Sequence, residues 1–243
     1  MPPDTTPTAV SNATSAAPSG DPDQLGPSTD LLIRVRRGAD IAQPVFRALV
    51  DAVSNPGRPV DLPAGPEGLH PVVLPVLTVV DLQTVLSVVD TDSQRARSLA
   101  SAIGRVTGAP VGDDHRSADV VLVTDPAAFT PDLVWTLRTG TAMSPEQGAK
   151  VFVACSAIVE ADAAVDDVAS DGSAVVVTGP GASDGRRITI TGVDPRTLAV
   201  VDRVNGAYPA GIDVFVVDPT GRVIGLPRSN RLSAGTKTPG DDR

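Results

Sequence analysis

Between residues 84 and 226, short runs of Val, Ile and Leu alternate with stretches that carry helix-entry signals. That alternation restricts the chain to an α/β architecture in which helices cover a sheet. Strands are read at Thr84–Val89, Asp119–Thr124, Ala149–Ile158 and Ala174–Thr178, with Arg187–Thr191 alternating as an exposed strand. A closing hairpin follows: Ile212–Val217, the turn Asp218-Pro-Thr-Gly221, and Arg222–Leu226. Proline presets φ in such a turn and glycine accepts the left-handed position.

Helices are entered at Asp92, at Thr130-Pro131 and at Asp194-Pro195. In each the side-chain oxygen can take an orphan N–H, and a proline at the first helical position loses nothing. An earlier helix, Gln43–Ser54, carries Val45, Phe46, Leu49, Val50 and Val53 at spacings of three and four, which reads as one apolar face. Asn55-Pro56-Gly57 stops it. Residues 70–80 are ambiguous between helix and strand. The cluster Arg34, Arg36 and Arg37 reads as a solvated flank of the fold. The expected product is a single domain over residues 29–232. Pro-, Thr-, Ser- and Ala-rich ends at 1–28 and 233–243 lack the apolar side chains to offset their ordering entropy, and are read as disordered tails.

Charge and rare residues narrow the chemistry. The net charge of −9 repels phosphate backbones, so no nucleic-acid partner is expected. The run from Val72 to Val89 is broken by Pro75, Asp81, Gln83 and Ser87, and the N-terminus has neither a basic start nor an apolar segment. Neither a membrane span nor a secretory signal is expected, and the location expected is cytoplasmic. The single cysteine, Cys155, sits in an apolar run and reads as a core residue; alone it can build neither a disulfide nor an iron–sulfur cluster.

The two histidines are His70, before a proline, and His115, in the polar loop Gly112-Asp-Asp-His-Arg116. No Gly-x-Ser-x-Gly elbow accompanies them, and Asp113, Asp114 and His115 read as a solvated loop rather than a metal site. Thr178-Gly-Pro-Gly181 follows a strand but lacks phosphate-loop spacing, so it reads as a tight turn. Arg228 and Arg231, with a hydroxyl between them, could hold an anion or be solvated. Of the two lysines, only Lys150 is a candidate for a Schiff base with pyridoxal phosphate, and it lacks the context for one. The residues alone describe an accessory subunit or binding scaffold. A pyridoxal-phosphate-dependent transferase and a stand-alone small-anion scaffold are the alternatives.

Five motifs in order resemble the PhnH family, whose members are subunits of the bacterial carbon–phosphorus lyase core complex. Val45-Phe-Arg-Ala-Leu…Pro56-Gly57 is similar to its opening helix and turn, with Val53 where methionine is usual. Leu74–Thr84 is similar to its Leu-rich segment. Gly140…Pro145-Glu146 resembles its loop before a strand, and Gly179-Pro180-Gly181 its turn. Tyr208-Pro209-Ala-Gly211-Ile-Asp213, followed by Leu226-Pro227-Arg228, is the fullest match.

The resemblance implies a three-layer α/β/α fold with a mixed sheet, like that of pyridoxal-phosphate transferases but without the cofactor. It implies a homodimer and association with G, I and J subunits. It implies a role, with G and I, in forming ribose 1-phosphonate 5-triphosphate from ATP and an alkylphosphonate, before a radical J subunit breaks the carbon–phosphorus bond. Gly179, Pro180, Gly181, Asp213 and Arg228 are taken as a functional or interface patch. Phe46, Arg47, Pro56, Gly57, Pro145, Glu146, Pro209, Gly211 and Pro227 are taken as structural, with Arg47 in a buried ion pair or at a ligand. No catalytic residue, cofactor or metal ligand is nominated. The acidic stretch Glu160–Ser173 departs from the family pattern and reads as a surface loop.

Overall fold

The structure, a computed structural model, describes residues 29–160 and 172–234. The expected tail at 1–28, the tail beyond Ala234 and the body of the acidic insertion (161–171) lie outside these residues.

Four neighbouring parallel strands form the centre: β2 (Leu86–Val89), β3 (Val120–Val123), β4 (Lys150–Ala154) and β8 (Asp213–Val217). The hairpin adds β9 (Arg222–Leu226) antiparallel to β8, and β1 (Val60–Asp61) pairs with β9, giving a six-stranded mixed sheet in the order β1-β9-β8-β4-β3-β2. Its strands are apolar on both faces, as a covered sheet requires. Val120, Leu122, Phe152, Ala154, Phe215 and Val217 face one core, while Val121, Val123, Val151, Val153, Val214 and Val216 face the other. Phe152 and Phe215, opposite each other in register, stack with ring centroids 5.0 Å apart.

The first core is closed by four helices: α1 (Thr29–Arg37), α2 (Ala39–Ser54), α3 (Val73–Val79) and α4 (Ser93–Thr107). The second is closed by α5 (Pro131–Thr136), α6 (Pro195–Asn205) and a second, antiparallel sheet. That sheet has the order β10-β6-β7-β5, from β5 (Ala157–Glu160), β6 (Gly172–Gly179), β7 (Ala182–Thr191) and β10 (Arg231–Ala234). The mixed α/β architecture with helices on both faces of a mixed sheet is therefore present, but one outer layer is part helix and part sheet. Strand order advances steadily from β2 to β8 while α4 and α5 lie on opposite faces. The crossover through α4 is thus opposite in hand to the one through α5.

Several local expectations change. The run Ala149–Ile158 is two strands in two sheets: the chain leaves β4 at Cys155, and Ser156 bonds to Thr191 of the second sheet at 2.9 Å. β7 is not an exposed strand at its C-terminal half, since Ile188 and Ile190 are fully buried. Residues 70–80 resolve to α3. Arg36 is no solvated flank: its guanidinium donates to the carbonyls of Leu77 and Val80, both at 2.8 Å, closing the end of α3. Ser233 and Ala234 belong to β10 rather than to a tail, because they pair with Val176 and Val175. The three helix entries hold as read. Asp92 accepts from Gln94 and Arg95, Thr130 from Leu133, and Asp194 from Arg196.

Candidate functional site

Asp213 opens β8, where a neighbouring parallel strand begins with Lys150. Its carboxylate is clamped by Arg228, which follows β9. The Arg228 Nη2 donates to Oδ2 at 2.6 Å, and Nε and the backbone N–H donate to Oδ1 at 3.1 and 3.0 Å. Nη1 donates to the carbonyl of Pro145. The Arg228 side chain is 12% exposed and that of Asp213 24%. This fork geometry is the strong form of an Arg–carboxylate pair.

The surrounding residues make room for it. A Cβ on Gly148 would lie 2.2 Å from the Gly211 carbonyl and 2.4 Å from Arg228 Nη1. Gly211 has φ 149°, and a Cβ there would meet Asn205 Oδ1 at 2.5 Å. Buried Asn205 donates to the carbonyl of Ile212 and accepts from its N–H, fixing the chain just before β8. Tyr208–Pro209 is a cis bond on the approach to Gly211. Two separate motifs, Gly140…Pro145-Glu146 and Tyr208…Asp213, thus meet Pro227-Arg228 at the amino end of the parallel sheet. Pro227 is buried and Glu146 is exposed.

The Gly179-Pro180-Gly181 turn lies at a second node, joined to the first by the segment 227–230. Asn230, buried, donates to the carbonyls of Thr178 and Pro180 at 3.2 and 3.1 Å. The turn packs on the end of α2: a Cβ on Gly181, at φ 78°, would lie 2.4 Å from the Ser54 carbonyl. Gly57 donates to the Gly225 carbonyl at 2.9 Å, and Arg186 donates to the carbonyls of Asn55 and Pro56. Pro56 and Gly57 are buried here. The nominated patch is therefore two linked backbone junctions. Arg228 and Arg231, for which an anion clasp and solvation were both open, each face a carboxylate, Arg228 on Asp213 and Arg231 on Asp202 at 2.8 Å.

Phe46 and Arg47 are placed differently from expectation. The core face of α2 is Val45, Ala48, Leu49 and Ala52, whereas Phe46, Val50 and Val53 form a second, exposed stripe. Arg47 is exposed and makes no ion pair among the described residues, so the first of its two readings, a buried pair, does not apply.

Sequence reading missed a second clamp of the same kind. Asp119, just before β3, receives Arg138 Nη1 at 2.8 Å and the Val85 N–H at 2.9 Å. It also missed a groove of about 830 Å³ along the outer edge of β2, lined by Ser87, Ala96, Arg97, Gly104, Arg105 and His115. In it Ser87 Oγ lies 2.6 Å from His115 Nδ1. Ser87 is 1% exposed, so this contact ties the His115–Ser117 turn to β2 rather than presenting a nucleophile. None of the nominated residues lines the groove.

At the carboxyl end of the sheet, Cys155 and His70 both sense Asp218. Burial, aided by that carboxylate, pushes the Cys155 thiol up to about 12, the opposite of an activated nucleophile. Burial lowers the His70 pKa and the Asp218 charge works against this. Among the described residues no group of three His, Cys, Asp or Glu side chains is placed to hold a metal ion. No helix among them is long and apolar enough to cross a membrane.

Comparison with known proteins points to one family. The profile of PhnH, a bacterial phosphonate metabolism protein, matches residues 35–233. HtxG of Stutzerimonas stutzeri, named as a candidate C-P lyase subunit, is 28% identical over 195 residues, covering 79% of this chain and 85% of its own.

Proposed function

The chain belongs to the PhnH family of bacterial phosphonate metabolism proteins, and on that premise we propose that it is an accessory subunit of the carbon–phosphorus lyase core complex. In this reading it associates with G, I and J subunits as a homodimeric scaffold in the cytoplasm. With G and I it serves the formation of ribose 1-phosphonate 5-triphosphate from ATP and an alkylphosphonate. The observation that carries the reading is the extent of the family match. It runs from α1 to β10 and takes in both backbone junctions.

Two features support a scaffold rather than an independent catalyst. The family-motif residues around Asp213 and Gly181 are spent on shaping the backbone. The thiol and imidazole of Cys155 and His70 sit in surroundings that disfavour their charged forms. Trp135, which shares a surface groove with Gly140 and Gln147, stands exposed at 54%, as do Met143 and Tyr208 at 92% and 64%. Trp, Tyr and Met are the side chains that protein interfaces favour, which suits this end of the sheet to a subunit contact.

Co-expression with the other core subunits tests the proposal. One co-purifying assembly is expected, and a chain that elutes alone at micromolar concentration would refute it. Deletion of the gene is expected to abolish growth on methylphosphonate as sole phosphorus source. The same reading treats the three-layer core as a relative of pyridoxal-phosphate transferases that uses no cofactor. A purified protein with an absorbance band near ~420 nm that Lys150→Ala removes would contradict it.

A further inference from the structure

The outer edge of β2 stands open along the groove beside α4. Leu86 faces outward: its N–H donates to the Pro110 carbonyl and its C=O accepts from the Gly112 N–H, both at 2.9 Å. The carbonyls of Val85 and Val89 face β3 instead, accepting from Val120 and Thr124. Alternation therefore points the N–H and C=O of Val88 out of the sheet, where no further strand lies among the described residues. Beside this edge α4 presents two neighbouring rows at i, i+4 and i+8. Ala96, Ala100 and Gly104 make a floor of small residues, and Arg97, Ser101 and Arg105 make a rim. The two arginines stand about 12 Å apart along the helix. Arg97 donates to Gln94 Oε1, and Arg105 donates to Ser101 Oγ and Thr29 Oγ1. Neither forms an ion pair among the described residues, and the one acidic side chain lining the groove is Asp113.

We propose that residues 21–28 of the same chain occupy this groove and cover the edge of β2. α1 begins at Thr29, and the contact of Arg105 with Thr29, at 3.4 Å, puts that beginning on the rim. Residues 1–28 hold Asp4, Asp21 and Asp23 and no basic side chain, so their charge complements a basic rim on a chain of net charge −9. Leu25 is the last bulky apolar side chain before α1. The four residues from Leu25 to Thr29 span at most ~14 Å, which brings Leu25 within reach of Ala100 and Ala96. Six and eight residues bring Asp23 and Asp21 to Arg97 by the same measure. Pro22 and Pro27 have no N–H to offer, so a chain held here ends the sheet rather than templating another strand. A segment too poor in apolar side chains to fold by itself is held by one leucine and two carboxylates, because its attachment at Thr29 makes the contact intramolecular.

Amide hydrogen exchange of the full chain tests it. The Val88 N–H is expected to exchange at least ~10-fold faster in the triple variant D21N/D23N/L25S than in the unaltered chain, while Val121 and Val216 keep their rates. The double variant R97E/R105E should release Val88 in the same way, with thermal unfolding unchanged because both arginines are exposed. Adding Asp21→Lys and Asp23→Lys to that double variant should slow the exchange again, and a swap that leaves it fast would overturn the pairing. Equal Val88 rates in the unaltered chain and the triple variant would overturn the proposal. Slow exchange that appears only as the protein is raised from about 1 to about 100 µM would give the groove to a second copy. Slow exchange that needs an added C-P lyase subunit would give it to that subunit, and either result would overturn the assignment to residues 21–28.

Discussion

Arg228 shows how a motif residue acts without touching a ligand. Its guanidinium meets both oxygens of Asp213 and the carbonyl of Pro145, so three chain segments depend on one side chain. Lysine cannot reproduce that fork. Arg228→Lys is expected to lower stability in urea by about 2–3 kcal/mol, somewhat less than a fully buried pair would, because both partners keep some solvent contact. Two titrations belong to the same scale. With its folded pKa raised to about 12, Cys155 keeps its proton where the unfolded chain has lost it. Stability is therefore complete below pH ~9 and is lost progressively as pH rises from there toward the folded pKa. Cys155→Ala should flatten that limb of the pH profile. His70 works in the other sense: its folded pKa is depressed, and neutral Nδ1 accepts from the Val72 N–H. The stability this gives is present above the unfolded pKa and is lost as pH falls below ~6.5. His70→Asn should reduce the acid slope of a pH-dependent urea titration.

Among the elements, those whose signals are local were legible in the sequence. Asp92, Thr130 and Asp194 cap their helices because the accepting oxygen and its N–H are two or three residues apart. Thr130→Ala is expected to cost about 1 kcal/mol in thermal or urea unfolding. Elements defined by distant partners were not legible. β10 exists because residues 231–234 find Val175–Thr178, and no feature of Arg231-Leu-Ser-Ala234 announces that pairing. α2 misled for a different reason. Two adjacent apolar stripes on one helix look like a single wide face until the core takes one of them. The close approaches at its end are equally invisible in a linear reading. Gly181→Ala forces a Cβ to within 2.4 Å of the Ser54 carbonyl at a positive φ. It is expected to destabilise by more than ~2 kcal/mol, read as a shift in urea midpoint, while Gly185→Ala, at a similar φ but with a Cβ in ordinary contact with Val176 and Thr178 at 3.4 and 3.5 Å, should cost less.

For the whole molecule, the α/β class is legible in the alternation of periodicities, but neither the order of the strands nor the second sheet is. Its strands were read as further members of the first because both kinds are short Val/Ile runs, and the corner at Cys155–Ser156 carries no Pro or Gly to mark it. The candidate patch was legible as residues and not as a place: the motifs named Asp213 and Arg228, and the fold showed that they pair with each other. Asp119 and Arg138 repeat the device without any motif to flag them. At this scale the test is assembly. Trp135→Ala, on an exposed side chain, is expected to reduce co-purification with the other core subunits at unchanged thermal stability.

The departure of the chain from β4 at Cys155 has one more consequence. β4 and β8 are neighbours in the first sheet, yet everything from Ala157 to Asn205 is threaded between them, and β10 returns from beyond the hairpin to seal that excursion. The second sheet can therefore open as a cooperative unit while every ladder of the first stays closed. Amide hydrogen exchange should fall into two tiers. Protons of Val121, Phe152 and Val216 are expected to exchange only on global unfolding. Those of Val175, Ile188 and Leu232 should exchange earlier and together, and Asn230→Ala should speed this second group alone.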